Sequence, residues 1–226
     1  MPHRKAINYK SCFDIIGPIM VGPSSSHTAG AIQIGLLARQ LFGGDPLDVT
    51  CIYYESFAET HKGHGTDFAI VSGVLGFATD DERVPKAVDI AEEMGIAVEF
   101  IEQDIPSPVF HANTADLTLK DYQREVRIIG TSVGGGTVEV KYVEVAGFEI
   151  SLTGPLPIVI AISQDAHLQE QLDQLLYDHQ MELMSRREQE KVGVWAFVYE
   201  LKSLITQPLQ QALEALRREE TIYILK

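Results

Sequence analysis

The stretch Leu156-Pro157-Ile158-Val159-Ile160-Ala161-Ile162-Ser163 decides how the C-terminal third of the chain folds. It is compact, apolar and of strand length, and His167 to His179 follows it as a helix. Glu182 to Arg187 and Val192 to Leu201 read as strands, Gln207 to Arg218 as a helix with Leu209, Leu213 and Leu216 inward, and Thr221 to Leu225 as a last strand. The order is βαββαβ, which makes a four-stranded antiparallel sheet with both helices on one face, and about 75 residues is a normal size for it. Within this unit Asp165 and His167 read as solvated, and the single Trp195 as core.

The pattern changes around Ala146 to Gly154, so the chain divides into residues 1–147 and 148–226. In the first part Ser11 to Met20 is broken by Gly17-Pro18 and is short and partly extended. A helix starts near Ser26 and runs to Phe42, with Ile32, Leu36, Leu37 and Leu41 on one face, and Gly43-Gly44-Asp45-Pro46 stops it. Asp48 to Phe57 reads as a strand, Thr60 to Thr66 as a glycine-broken loop, and Asp67 to Phe77 as a helix. Pro85 to Met94 is a further helix closed by Gly95. Ile96 to Glu102, Asn113 to Leu119, Gln123 to Ile129 and Thr137 to Val145 follow as strands. The expected class is α+β: a mixed N-terminal domain followed by a ferredoxin-like βαββαβ domain.

Charge and cysteine usage exclude several functions. Asp and Glu number 32 against 18 Lys and Arg, for a formal charge of −14, and no basic run could neutralise phosphates, so nucleic acid is not an expected partner. Met1 to Lys10 has no apolar core after Arg4 and Lys5, and no long apolar run occurs elsewhere, so the chain is expected to be untargeted, cytoplasmic and free of membrane. The two cysteines, Cys12 and Cys51, are too few for a disulfide framework or an iron-sulfur cluster, which needs three or four thiolates. No Walker or dinucleotide fingerprint is present.

Two constellations carry chemistry. Ser24-Ser25-Ser26-His27-Thr28 sits where a helix begins, so free N–H groups, hydroxyls and the positive end of the helix dipole converge there, a geometry suited to a carboxylate or phosphate. Capping alone needs one hydroxyl and gives no reason for His27. Thr60-His61-Lys62-Gly63-His64-Gly65-Thr66-Asp67 offers histidines able to take a proton near neutral pH, and nothing in it supports a metal site. His111-Ala112-Asn113-Thr114 and the turn Gly130 to Thr137 are weaker: a tight turn, or a close backbone approach to a ligand or partner.

These blocks resemble the beta subunit of iron-sulfur-dependent L-serine dehydratases of the two-chain bacterial type. Phe13-Asp14-Ile15-Ile16-Gly17-Pro18-Ile19-Met20 with Gly22-Pro23 and Ser24 to Gly30 is similar to that family's opening block. Lys62 to Asp67, His111 to Thr114 and Ser132-Val133-Gly134-Gly135-Gly136 resemble its later ones. The resemblance implies an N-terminal domain similar to the allosteric substrate-binding domain of some phosphoglycerate dehydrogenases, and an ACT-type C-terminal domain. There Asp165-Ala166-His167 departs from the usual Asp-x-Pro-Gly turn, which leaves amino-acid sensing, subunit pairing and a structural role all open.

The implied reaction turns L-serine into pyruvate and ammonia, with a 4Fe-4S cluster of the alpha subunit as Lewis acid on the departing hydroxyl. By the same resemblance His64 is the candidate base and His27 positions the substrate or stabilises charge. Ser24, Ser25, Ser26 and Thr66 hold the carboxylate, with Thr28 in the same set and Asn113 as an addition; no residue is assigned to a metal. A shared active site also favours dimers of this chain. A competing reading makes the chain a regulatory amino-acid-binding subunit without catalytic residues of its own.

Overall fold

A computed structural model describes residues 18–226. The expectations for Met1 to Lys10, for most of Ser11 to Met20 and for Cys12 lie outside the described residues. The described elements form two sheets and six α-helices, an α+β architecture.

The first sheet is built from β1 (Asp48–Tyr54), β2 (Ala97–Gln103), β3 (Thr114–Lys120), β4 (Glu125–Gly134), β5 (Thr137–Val145) and β6 (Phe148–Ser151), in the order β2-β1-β3-β4-β5-β6. Only the β1–β2 pair is parallel. In register, Tyr54 lies opposite Gln103 and Thr114, and Thr114 lies opposite Thr131. These residues therefore share one end of the sheet, and the functional motifs collect there.

Helix α1 (Gly30–Phe42) crosses α3 (Thr66–Val74) at two glycines. A Cβ on Gly35 would stand 2.3 Å from Ile70 O, and one on Gly73 would stand 2.1 Å from Ile32 O, so the backbones approach as only glycine permits. The start of α1 is held as tightly, since a Cβ on Gly30 would lie 2.2 Å from Ser132 Oγ on β4.

One expectation is corrected. The strand from Asp48 ends at Tyr54, and Glu55–His64 is helix α2 rather than strand followed by loop. Its sequence, ESFAETHKGH, buries only Phe57 and His61, so no apolar stripe announces it. Helix α4 (Ala87–Glu93), preceded by a 3-10 turn at Val84–Lys86, matches the helix expected there. Strand β6, just past residue 147, still pairs with β5 in the first sheet.

The second sheet has β7 (Ile158–Ser163), β8 (Leu183–Lys191), β9 (Val194–Leu201) and β10 (Thr221–Leu225) in the antiparallel order β10-β7-β9-β8. Helices α5 (Leu168–Asp178) and α6 (Gln207–Leu216) pack on one face, where Leu168, Leu172, Leu176, Leu209 and Leu213 meet Val159, Ala161, Phe197 and Tyr199. The other face carries Ile158, Ile160, Ile162, Ala196 and Val198 into the core of the first sheet. Being buried on both faces, β7 is apolar from Ile158 to Ile162 instead of alternating. Glu200, fully buried on β9, accepts from Thr153 N at 2.8 Å, Ser185 Oγ at 2.8 Å and Arg187 Nη2 at 2.5 Å.

Candidate functional site

Ser24 opens the first helical segment with extended torsions, φ −141° and ψ 126°, and its Oγ accepts from His27 N at 3.2 Å. Ser25–Ala29 then form a single π-type turn that runs into α1. The first amides of a helix have no acceptor within it; with His27 N taken by Ser24, those of Ser25 and Ser26 are the ones turned to the helix start. The dipole of α1 adds partial positive charge at the same place.

The wide turn brings His27 inward, 9% exposed. Ser26 Oγ lies 2.9 Å from its Nδ1 and Ser56 Oγ of α2 lies 3.1 Å from its Nε2, with Ser24 Oγ 3.4 Å from Nδ1. Hydroxyls donate or accept, so this setting suits a neutral ring in either tautomer. Burial, and then the neighbouring His64, hold the His27 pKa below its ordinary 6.5.

The ring of His64 stands edge-on to that of His27, centroids 4.7 Å apart, and Phe57 backs His27 at 5.1 Å. Thr28 Oγ1 donates to His64 O at 3.0 Å, tying the serine-rich turn to the end of α2. Half-buried His64 is the last residue of α2, and Gly65, left-handed at φ 68°, joins it directly to Thr66, the first of α3. His64 Nδ1, Thr66 Oγ1, Thr131 Oγ1 and Ser132 Oγ are buried without a hydrogen-bond partner among the described residues. Each such group costs about 1–3 kcal/mol, a cost that a polar ligand would relieve.

The structure thus brings together Ser24, Ser25, Ser26, His27, His64 and the start of α3 at Thr66. Thr28 is fully buried and committed to internal bonds. Asn113 lies at the same sheet end, where its Nδ2 donates to Ser132 O at 3.4 Å and its carbonyl accepts from Ser132 N at 2.9 Å. Ser56, Thr131 and Ser132 were not picked out as site residues. Ser56 is 29 positions from His27, and the Gly130 to Thr137 stretch that contains Thr131 and Ser132 reads from sequence as a turn or a close backbone approach, with no role for either hydroxyl. Lys62 is paired with Glu102 at 2.9 Å, the carboxylate that also meets His61.

A family profile described as the serine dehydratase beta chain matches residues 11–142. The chain therefore belongs to the L-serine dehydratase beta-chain family. It is 49% identical over 160 residues to a probable L-serine dehydratase beta chain of Bacillus subtilis, a match covering 70% of each chain. It is 30% identical to the L-serine dehydratase beta chain of Peptoniphilus asaccharolyticus over 93% of this chain and 96% of that one. L-serine dehydratase 2 of Escherichia coli is 37% identical over 51% of this chain, which corresponds to 23% of the longer relative.

Proposed function

We propose that this chain is the beta subunit of an L-serine dehydratase, acting with an alpha subunit that bears a 4Fe-4S cluster to convert L-serine into pyruvate and ammonia. The observation that carries the reading is the His27–His64 pair set against a serine-rich helix start in a chain of this family.

The residues described do not fit the cluster itself. Among them Cys51 is the one cysteine; burial pushes its thiol pKa well up, away from the thiolate a cluster needs. No group of three His, Cys, Asp or Glu among the described residues could hold a metal ion. The cluster is therefore assigned to the alpha subunit.

This chain's own part follows from its geometry. The substrate carboxylate meets the Ser25 and Ser26 amides and the hydroxyls of Ser24, Ser25, Ser26 and Thr66, at the positive end of α1. His64 takes the α-proton, and His27, kept neutral by burial, faces it and stabilises the charge that forms. Asn113 holds β4 against β3 beside them.

The first 147 residues would then be the substrate-binding domain and residues 148–226 an ACT-type unit. At the first strand-to-helix turn of that unit Asp165 caps His167 N at 2.9 Å and both side chains are exposed, an arrangement compatible with subunit pairing. No helix among the described residues is long and apolar enough to cross a membrane.

A second reading, a regulatory site for an amino-acid effector, is favoured by one observation: the serine-rich helix start and both histidines come from this chain alone. The experiment that tests the proposal is anaerobic purification of the tagged chain from its own host. A cysteine-rich partner, iron and serine-dependent pyruvate formation should travel with it. A chain that emerges alone, free of iron and inert, yet binds L-serine, would replace the proposal with the regulatory reading.

A further inference from the structure

His61 lies one helical turn before His64 on α2 and is 3% exposed. Each of its ring nitrogens meets a carboxylate: Nδ1 is 2.6 Å from Asp67 Oδ1, and Nε2 is 2.7 Å from Glu102 Oε1. Both contacts are made at once when the ring donates from both nitrogens. Tyr53 of β1 packs on the ring at a centroid distance of 5.0 Å, and Lys62 Nζ reaches the same Glu102 oxygen at 2.9 Å.

This clamp spans the joint that carries the candidate site. Asp67 is in the first turn of α3, where the helix dipole favours its negative charge, and Glu102 is near the end of β2. Between His61 and Asp67 the chain places His64, Gly65 and Thr66. Gly65 alone separates the two helices, and a Cβ there would come within 2.1 Å of the Phe68 ring, so the left-handed bend is one that glycine fits. The contacts of His61 therefore tie the end of α2 to the first turn of α3 and to β2, on either side of His64 and Thr66.

We infer that His61 is a positioning residue: held by Asp67 and Glu102, it orients His64 and Thr66 for turnover of L-serine. This rests on the reading of His64 as the base. It also gives Asp67, a member of the Lys62–Asp67 block, a task that its exclusion from the His27–His64 contact otherwise leaves unexplained.

The test compares His61→Ala, His61→Gln and Glu102→Gln with wild type and with His64→Ala, each in the enzyme assembled with its partner, measuring kcat, KM and the pH–rate profile. Misplacing a catalytic group by about 1 Å costs on the order of 100-fold, so His61→Ala should lower kcat by about that factor, with a smaller rise in KM as Thr66 is displaced as well. Its acid limb should shift as His64 leaves its place, and His61→Gln, which keeps an N–H donor, should recover part of the loss. The inference is overturned if His61→Ala keeps wild-type kcat per assembled enzyme while His64→Ala abolishes turnover. Loss that follows only the amount of assembled enzyme, with an unchanged pH profile, overturns it equally. Normal turnover by His64→Ala would remove the catalytic reading and this inference with it, a result distinct from failure of the clamp alone. Should His61→Ala not assemble, His61→Gln and Glu102→Gln carry the same comparison.

Discussion

The imidazoles of His27 and His64 stand edge to face with centroids 4.7 Å apart, although they lie 37 positions apart in the sequence and each comes from a different helix end. Two titratable rings in such contact cannot both be charged cheaply, and burial adds to the penalty at His27.

Protonation of His27 is therefore coupled to folding. Its pKa is lowered in the folded state, so between that value and the ordinary 6.5 the unfolded chain binds the extra proton. Stability contributed by neutral His27 is fully present above 6.5 and is lost as pH falls toward the folded value. His111, also lowered mainly by burial, acts with the same sign. Thermal melting of wild type against His27→Gln across this range should show a difference that narrows on acidification.

Ser24→Ala removes the hydroxyl that caps His27 N, a loss of about 1 kcal/mol for an N-cap. It should lower Tm by a few degrees in a chain of this size and weaken binding of L-serine, read by calorimetry.

Gly73→Ala places a methyl 2.1 Å from Ile32 O, where backbone and not a flexible side chain must yield. The expected cost is about 1–3 kcal/mol, measured by denaturant unfolding, because α1 and α3 must separate. The displacement should also disturb the His27–His64 contact, since α1 carries one histidine at its start and α3 follows the other.

Glu200→Gln tests the buried network of the second sheet. Burial raises the carboxyl pKa, but donors from Thr153 and Ser185 and the charge of Arg187 outweigh it, and the net shift is downward. Ionised Glu200 thus contributes stability above its ordinary 4.5 that is lost as pH falls through the folded value. The substitution should cost about 1–3 kcal/mol at neutral pH, and the gap from wild type should close in acid.

The second sheet was legible because its strands and helices follow simple periods. β7 is apolar on both faces, and α6 turns Leu209 and Leu213 to one side. The serine-rich helix start was legible for the same local reason, since capping chemistry is written within a few residues. Helix α2 was not, because a helix burying only Phe57 and His61 has no stripe, and Gly63 within it imitates a loop. Strand β6 is four residues behind a tight turn and gains its identity only from pairing with β5. Ser56 on His27 and Glu102 on His61 are contacts made across the fold, 29 and 41 positions apart, which no local pattern encodes.

The most direct measurement is the rate of pyruvate formation from L-serine by His64→Ala, assembled with its partner and matched to wild type in iron content. The account predicts that turnover is lost while assembly and iron are retained. Preserved turnover with altered cooperativity toward L-serine would contradict it and make the His27–His64 pair part of an effector site.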